Sequence, residues 1–251
     1  MITAAELERL CDDLLQAKRF ADYCPNGLQV EGARQICRLV TGVTASQALI
    51  DAAIVERADA ILVHHGFFWK NEAAVIRGMK AQRIGALLRN NISLLAYHLP
   101  LDAHATLGNN AQLAARLGLQ IDGNLDDSGA VTGLVGHLLT PMSASTFAEL
   151  LTTSLARAPL VIADADREIR TIAWCTGAAQ GFIEHAHARG VDAYLTGEVS
   201  EPTVHFAREN GIAFFAAGHH ATERYGVQAV GEHLAKATGI EHLFIDCDNP
   251  V

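Results

Sequence analysis

Two adjacent histidines, His64 and His65, close the apolar run Ala60-Ile61-Leu62-Val63 and are followed at once by Gly66. Three further stretches carry comparable donors: His98 with Asp102 and His104, then Gly197-Glu198, then His219-His220 with Glu223. Mixed imidazole and carboxylate sets suit borderline-to-hard divalent cations such as zinc, iron, manganese or nickel, and the set alone does not choose among them. A carboxylate has two oxygens and can bridge two ions, which an imidazole cannot. The donor count therefore points to a dinuclear centre, two divalent ions per subunit, about 3.5–4 Å apart, sharing a water and polarising a substrate oxygen.

The expected metal ligands are His64, His65, Asp102, His219 and Glu223. All five sit where apolar strands end, the place where ligands gather in open α/β sheets. Histidine alone is weak evidence, so His137, His185, His187, His205, His233 and His242 are read as surface or packing residues. His98 precedes Pro100 and reads as a strand-end residue or one that orients Asp102. With His104 and His220 it is a candidate for proton transfer outside the ligand shell. Neighbouring residues leaving a strand point in opposite directions, so His64 and His65 are expected on different ions or different faces.

The elements that must position these groups follow from periodicity. Residues 3 to 17 form a helix, with Thr3 as cap, Glu6 completing a capping box, and Leu7, Leu10, Leu14 and Leu15 as its apolar stripe. Tyr23 to Gly32 is a turn-rich segment around Pro25-Asn26-Gly27, with no assigned function beyond a shaped loop. Strands are expected at 36–43, 59–63 and 92–98, and helices at 46–57 and 78–90. Gly108-Asn109-Asn110 opens a helix that Gly118 stops. In the middle, 131–139 and 160–162 read as strands around a helix from Ser143. Strands at 169–175, 193–196 and 212–217 then alternate with helices at 180–189 and 202–210. A helix over 225–236 and a strand over 242–247 finish the chain. Such alternation predicts an α/β fold of mostly parallel or mixed sheets with helices on their faces.

The two runs of alternation resemble each other. Thr41-Gly42-Val43-Thr44 lies over Trp174-Cys175-Thr176-Gly177, and Asp59-Ala60 over Asp192-Ala193 in the same register. After one change of register, His98 meets His219 and Asp102 meets Glu223. The chain therefore reads as a duplicated unit, two similar α/β domains over 1–126 and 127–251. The polar stretch Asp122 to Gly129 is the boundary and the site is expected at the junction.

Bulk properties narrow the function. The 251 residues are half hydrophobic and 19% charged, with a formal net charge of −9, which disfavours a phosphate-tracking nucleic-acid groove. Five scattered cysteines without a CxxC pair suit a reducing compartment. The early acids and amphipathic pattern of the first residues are not those of a signal peptide, and no apolar run is long enough to span a bilayer. A cytoplasmic protein is expected. There is no GxSxG elbow, Walker loop or GxGxxG fingerprint.

The motifs Pro25-Asn26-Gly27-Leu28-Gln29-Val30-Glu31-Gly32, Thr41-Gly42-Val43-Thr44-Ala45-Ser46 and Val63-His64-His65-Gly66 resemble those of the NIF-three family (NGG-one-interacting factor three). So do His98-Leu99-Pro100-Leu101-Asp102-Ala103-His104, Gly108-Asn109-Asn110, Thr196-Gly197-Glu198 and Gly218-His219-His220-Ala221-Thr222-Glu223. Members of this family are also catalogued as type 2 homologues of GTP cyclohydrolase I. The resemblance spans nearly the whole chain and is weak over about 120–168. It implies a duplicated α/β protein with a dinuclear centre on His64, His65, Asp102, His219 and Glu223, assembled as a toroidal homohexamer. It also implies a metal-dependent hydrolase acting on a small-molecule substrate, a nucleotide, with opening of the GTP imidazole ring as the named reaction. Two alternatives stand beside it. One is a phosphoesterase or damaged-nucleotide hydrolase using the same ions; the other is a non-enzymatic metal-binding scaffold or regulatory protein.

Overall fold

Central strands that are apolar at every position need cover on both faces, and that requirement shapes both halves of this protein. The computed structural model describes residues 1–126 and 132–251. Residues 127–129 of the expected boundary, and Val131 at the start of an expected strand, lie outside the described residues.

The chain forms two compact units, Met1–Gly108 with Gly226–Asp248, and Asn109–Tyr225 with Asn249–Val251. The first opens with β1 (Ile2–Thr3), α1 (Ala4–Leu15), β2 (Gly27–Val30), β3 (Gln35–Ile36) and β4 (Arg38–Thr44). It continues through α2 (Gln47–Val55), β5 (Ala60–His65), α3 (Gly78–Arg89), β6 (Ser93–Ala96) and α4 (Leu99–Ala103). The second holds α5 (Asn109–Leu117), β7 (Leu119–Asn124), β8 (Leu134–Ser143), α6 (Ala144–Leu155), β9 (Leu160–Ile162) and β10 (Glu168–Cys175). After a 3-10 turn come α7 (Ile183–Ala188), β11 (Ala193–Thr196), α8 (Glu201–Asn210) and β12 (Ala213–Ala216). Helix α9 (His219–Thr238) begins in the second unit and ends in the first, and β13 (Glu241–Phe244) closes the chain's secondary structure.

This division differs from a single cut at 126/127. Residues 109–126 belong to the second unit because β7 pairs antiparallel with β8, and 226–248 to the first because β13 pairs parallel with β4. A strand's partner is set by long-range hydrogen bonding that local composition does not encode.

The first unit's sheet runs β13-β4-β5-β6-β2, parallel except for β2. The second runs β7-β8-β10-β11-β12-β9, with a parallel β10-β11-β12 centre and antiparallel flanks. Side chains alternate between two apolar layers in each. Leu39, Leu62, Leu95 and Tyr97 share one layer with α1 and the later turns of α9, while Val40, Ile61, Val63 and Leu94 share the other with α2 and α3. In the second unit Ile172, Trp174, Leu195 and Phe215 pack with α5 and α6, and Ala173, Tyr194 and Phe214 with α7 and α8.

The repeat read from sequence is present in the hydrogen bonding. Leu39 pairs with Ala60 across β4 and β5, and Ile172 with Ala193 across β10 and β11, at one constant offset. Asp59 Oδ2 accepts from the amides of Cys37 and Arg38 at 2.8 and 2.9 Å. Asp192 Oδ2 accepts from Arg170 and Thr171 at 3.0 and 2.8 Å, at the same offset. The two aspartates thus lock equivalent strand starts. The Thr171 hydroxyl also donates to Asp192 at 2.8 Å. Burial pulls the Asp192 carboxyl upward, but its hydrogen bonds outweigh this and leave it below the ordinary carboxylate value. A depressed folded-state value contributes stability that is present above the ordinary carboxylate range and lost as pH falls through it. Asp192→Ala is therefore expected to destabilise the protein by about 1–3 kcal/mol at neutral pH, with a smaller deficit in acid. Urea midpoints at pH 7 and pH 3 check this; an equal deficit at both would refute it.

Two expectations about local structure are corrected. The strand expected over 92–98 ends at Ala96, and Leu99 to Ala103, to which periodicity assigns no element, is the short helix α4, with Pro100 in its first turn, where a missing amide costs nothing. Helix α9 starts at His219, six residues earlier than read, so His219, His220 and Glu223 are helical. Among the described residues no helix is long and apolar enough to cross a membrane.

Candidate metal centre

In the first unit the donors gather where β5 and β6 end. The His64 side chain is fully buried, and its Nδ1 lies 3.0 Å from the Tyr97 carbonyl oxygen. A carbonyl only accepts, so Nδ1 carries a proton and Nε2 is the ring nitrogen left for a metal, the orientation that metal-binding histidines take. That Nε2 is 3.5 Å from Asp102 Oδ1. Asp102, 7% exposed, sits on α4 and its amide donates to the His98 carbonyl. His65 Nδ1 lies 3.1 Å from the Thr44 hydroxyl.

Of the two readings for His64 and His65, different ions or different faces, the second is not met. Their ring centroids are 4.4 Å apart, and His64, His65 and His98 bring donor atoms within 4.8 Å of one another. Pairing with β6 ends at Val63, while β4 stays paired as far as His65. His64 Nδ1 is held by Tyr97, just past β6, and His65 Nδ1 by Thr44 of β4.

His98 owes its place to a residue that sequence reading passed over. Its Nδ1 is 2.7 Å from Asp22 Oδ1, and its amide donates to Asn26 Oδ1 at 2.8 Å. Asp22 Oδ2 accepts from the Leu99 amide at 2.8 Å and from Asn26 Nδ2 at 2.9 Å. The Pro-Asn-Gly loop thus has a function: it clamps the turn that carries His98. Burial raises the Asp22 carboxyl, yet the bonds from His98, Asn26 and Leu99 win and hold it at about 2. Its stabilising contribution is present above the ordinary 3.8 and lost as pH falls towards about 2. Asp22→Asn is expected to lower the melting temperature at pH 7 and to flatten its fall across that acid window. An unchanged acid limb in the variant would contradict this.

In the second unit His219 and Glu223 lie one helical turn apart on α9, which puts both side chains on one face. His219 Nε2 is 3.1 Å from Glu223 Oε2, and its Nδ1 is 2.7 Å from Glu198 Oε1. Burial pulls the imidazole down, but the two carboxylates prevail and push it up to about 9. Glu198, noted in sequence only as part of a strand-end cluster, here acts as the carboxylate that orients His219. Gly177 makes room for the pair. It has φ +71°, and a Cβ there would overlap Glu223 Oε1 and stand 3.3 Å from His219 Nε2. Its carbonyl accepts from the Gly197 amide at 2.9 Å and the Thr196 hydroxyl at 3.1 Å.

The remaining proton-transfer candidates are His104 and His220. His104 Nδ1 accepts from the Leu107 amide at 3.0 Å, a turn-capping role, and burial with nearby His233 lowers its basicity. His220 is buried, and its amide donates to the Val251 carbonyl oxygen. Neither belongs to a group of three donors within 4.8 Å among the described residues.

The chemistry of the donors fits divalent cations, and the pattern has known counterparts. The family model of Duf34/NIF3 (NGG1p interacting factor 3) matches residues 2–250. This chain belongs to the Duf34/NIF3 family. A Pseudomonas aeruginosa member, named GTP cyclohydrolase 1 type 2 homolog, is 59% identical over 250 residues, covering 99% of each chain. Among solved Duf34/NIF3 relatives, the protein titled ybgI, of unknown function, shares 48% identity with a TM-score of 0.95 over the full length of both chains. A protein from Thermus thermophilus, 31% identical, has a TM-score of 0.89 with both chains fully covered. These Duf34/NIF3 structures share the fold of two similar α/β domains.

Proposed function

We propose that the protein is a metal-dependent hydrolase acting on a nucleotide, with GTP as the first substrate to test. The carrying observation is the placing of His64: its Nδ1 donates to the Tyr97 carbonyl, which leaves the fully buried Nε2, 3.5 Å from Asp102 Oδ1, as the ring nitrogen that a metal would take. His64, His65 and Asp102 of the first unit, with His219 and Glu223 of the second, are the proposed ligands of two divalent ions. When bound, such ions lower the pKa of water and polarise a substrate oxygen. Within the protein, Tyr97 and Thr44 orient His64 and His65, while Glu198 orients His219. His98, buttressed by Asp22, is the imidazole best placed in the first unit to hold or move a proton beside the donors. The names of relatives, GTP cyclohydrolase 1 type 2 homolog, support the choice of substrate.

The test is metal analysis of protein purified without added metal, followed by a GTP assay read in parallel for formate and phosphate. Formate release, lost on chelation and restored by metal, is the expected result. Phosphate without formate would replace ring opening with phosphoester hydrolysis. Metal content well below one ion per chain, unchanged by reconstitution, would refute the centre. A homohexamer is part of the same reading. A purely structural metal would make His64→Ala and Glu223→Ala lose metal and assembly together, with no turnover of GTP by the wild type.

A further inference from the structure

Beyond the metal donors, the loop that follows His65 is held in a conformation that its residues do not prefer. Phe68 has φ +64° and Asn71 φ +71°. A bulky side chain at positive φ is costly and persists only where surrounding contacts over-determine it, a pattern found at ligand clamps. Here the contacts are many. Gln29 receives the Phe67 amide at 2.7 Å and donates to the Phe67 carbonyl at 3.2 Å. The Lys70 amide donates to the Tyr23 carbonyl at 2.6 Å. Lys80 lies 4.9 Å over the Phe68 ring and 3.1 Å from Glu72, whose carboxylate takes the Trp69 amide.

What this loop displays is Trp69. Its ring meets His98 edge-to-face at 5.0 Å and lies 5.9 Å from His65. The indole is half-buried and belongs to none of the apolar layers of the sheet, unlike Trp174, which is fully buried. An edge-to-face contact with His98 occupies at most one face of the indole. Tyr23, 60% exposed, flanks His98 from the other loop at 6.3 Å. Two aromatic rings beside the imidazole cluster, one of them on a strained and cross-braced loop, are poorly explained by core packing.

We propose that Trp69, with Tyr23 beside it, is the stacking wall for the planar heterocycle of the substrate. This rests on the nucleotide reading above and deepens it. Aromatic stacking is indifferent to base identity and sensitive to planarity, so the wall selects a flat ring system and leaves the ribose and phosphates to other contacts. Trp69 is a positioning residue that sets affinity, and the chemistry belongs to the donors.

The chain has two tryptophans, and burial keeps Trp174 out of contact with any ligand, so its emission is a constant background and quenching by a stacked ring reports Trp69. GTP and guanosine are expected to quench the emission saturably, with or without bound metal, while ribose 5-phosphate does not. Trp69→Phe should remove the quenching signal yet keep guanosine binding within about threefold by equilibrium dialysis. Trp69→Leu should weaken it roughly tenfold and raise KM for GTP by more than it lowers kcat. Quenching by ribose 5-phosphate equal to that by guanosine would overturn the proposal, as would no saturable quenching by either purine. Unchanged guanosine binding in a folded Trp69→Leu protein would do the same. If Trp69→Leu does not fold, the wild-type titrations and Trp69→Phe decide. Formate release from GTP with an unaltered KM in Trp69→Leu refutes stacking and leaves the hydrolase intact. Purine quenching without any turnover refutes the hydrolase and leaves stacking intact.

Discussion

If the proposed dinuclear hydrolase is right, His64→Ala is expected to cost at least one metal ion per chain and to lower turnover of GTP by more than about 100-fold, beyond the 10–100-fold typical of an outer partner. His64 is fully buried, its tautomer is set by the Tyr97 carbonyl, and its Nε2 faces Asp102. Removing it takes away the donor to the Tyr97 carbonyl and the nitrogen beside the buried Asp102 carboxylate, and a water in its place cannot supply a fixed imidazole donor. His65 is less buried than His64, and its Nδ1 faces the Thr44 hydroxyl where His64 Nδ1 faces a backbone carbonyl, so His65→Ala should lose less metal and less activity. Elemental analysis of both variants after identical purification measures the difference. Equal losses would mean that the two imidazoles are interchangeable and that the His64 tautomer carries no special weight.

Gly177→Ala is expected to damage the second donor pair without touching a ligand. The residue has φ +71°, so any side chain costs about 1–2 kcal/mol in backbone strain. The added methyl would also collide with Glu223 Oε1. Gly190 provides the control, because it has φ +69° and an added Cβ would meet nothing within 4 Å. Gly190→Ala should show the strain alone. Gly177→Ala should show that strain plus a fall in metal affinity of roughly tenfold or more, since the carboxylate must swing away from His219. Urea unfolding and competition with a chromogenic chelator separate the two effects. Matching metal affinities in the two variants would show that Glu223 tolerates the displacement.

The ligand candidates were legible in sequence because each is tied to a local signal. An apolar strand that stops at a polar residue marks a sheet's carboxyl edge, and β/α alternation repeats that mark in each half. The equivalent roles of Asp59 and Asp192 in the two sheets bear out the alignment that pairs them. Element ends were harder. The start of α9 was missed because His219 and His220 are poor helix signals, and α4 because five residues with Pro100 near their start are too few to show a helical period. Proline is nevertheless at home in a first helical turn.

By itself the sequence determined the α/β class, the duplication, the family and the residue types from which a metal centre could be drawn. These rest on periodicity and short motifs, which depend on neighbours along the chain. Tertiary structure decided the rest. Asp22 holds His98 across 76 residues, Glu198 reaches His219 across 21, and β13 returns to pair with β4 in the first unit. It also turned His64 and His65 toward a common mouth and set Trp69 on a strained loop beside them. Each of these is a contact between segments whose own composition carries no trace of the partner. Only the closing of the sheets, which fixes strand register and the direction in which each strand end points, brings them together.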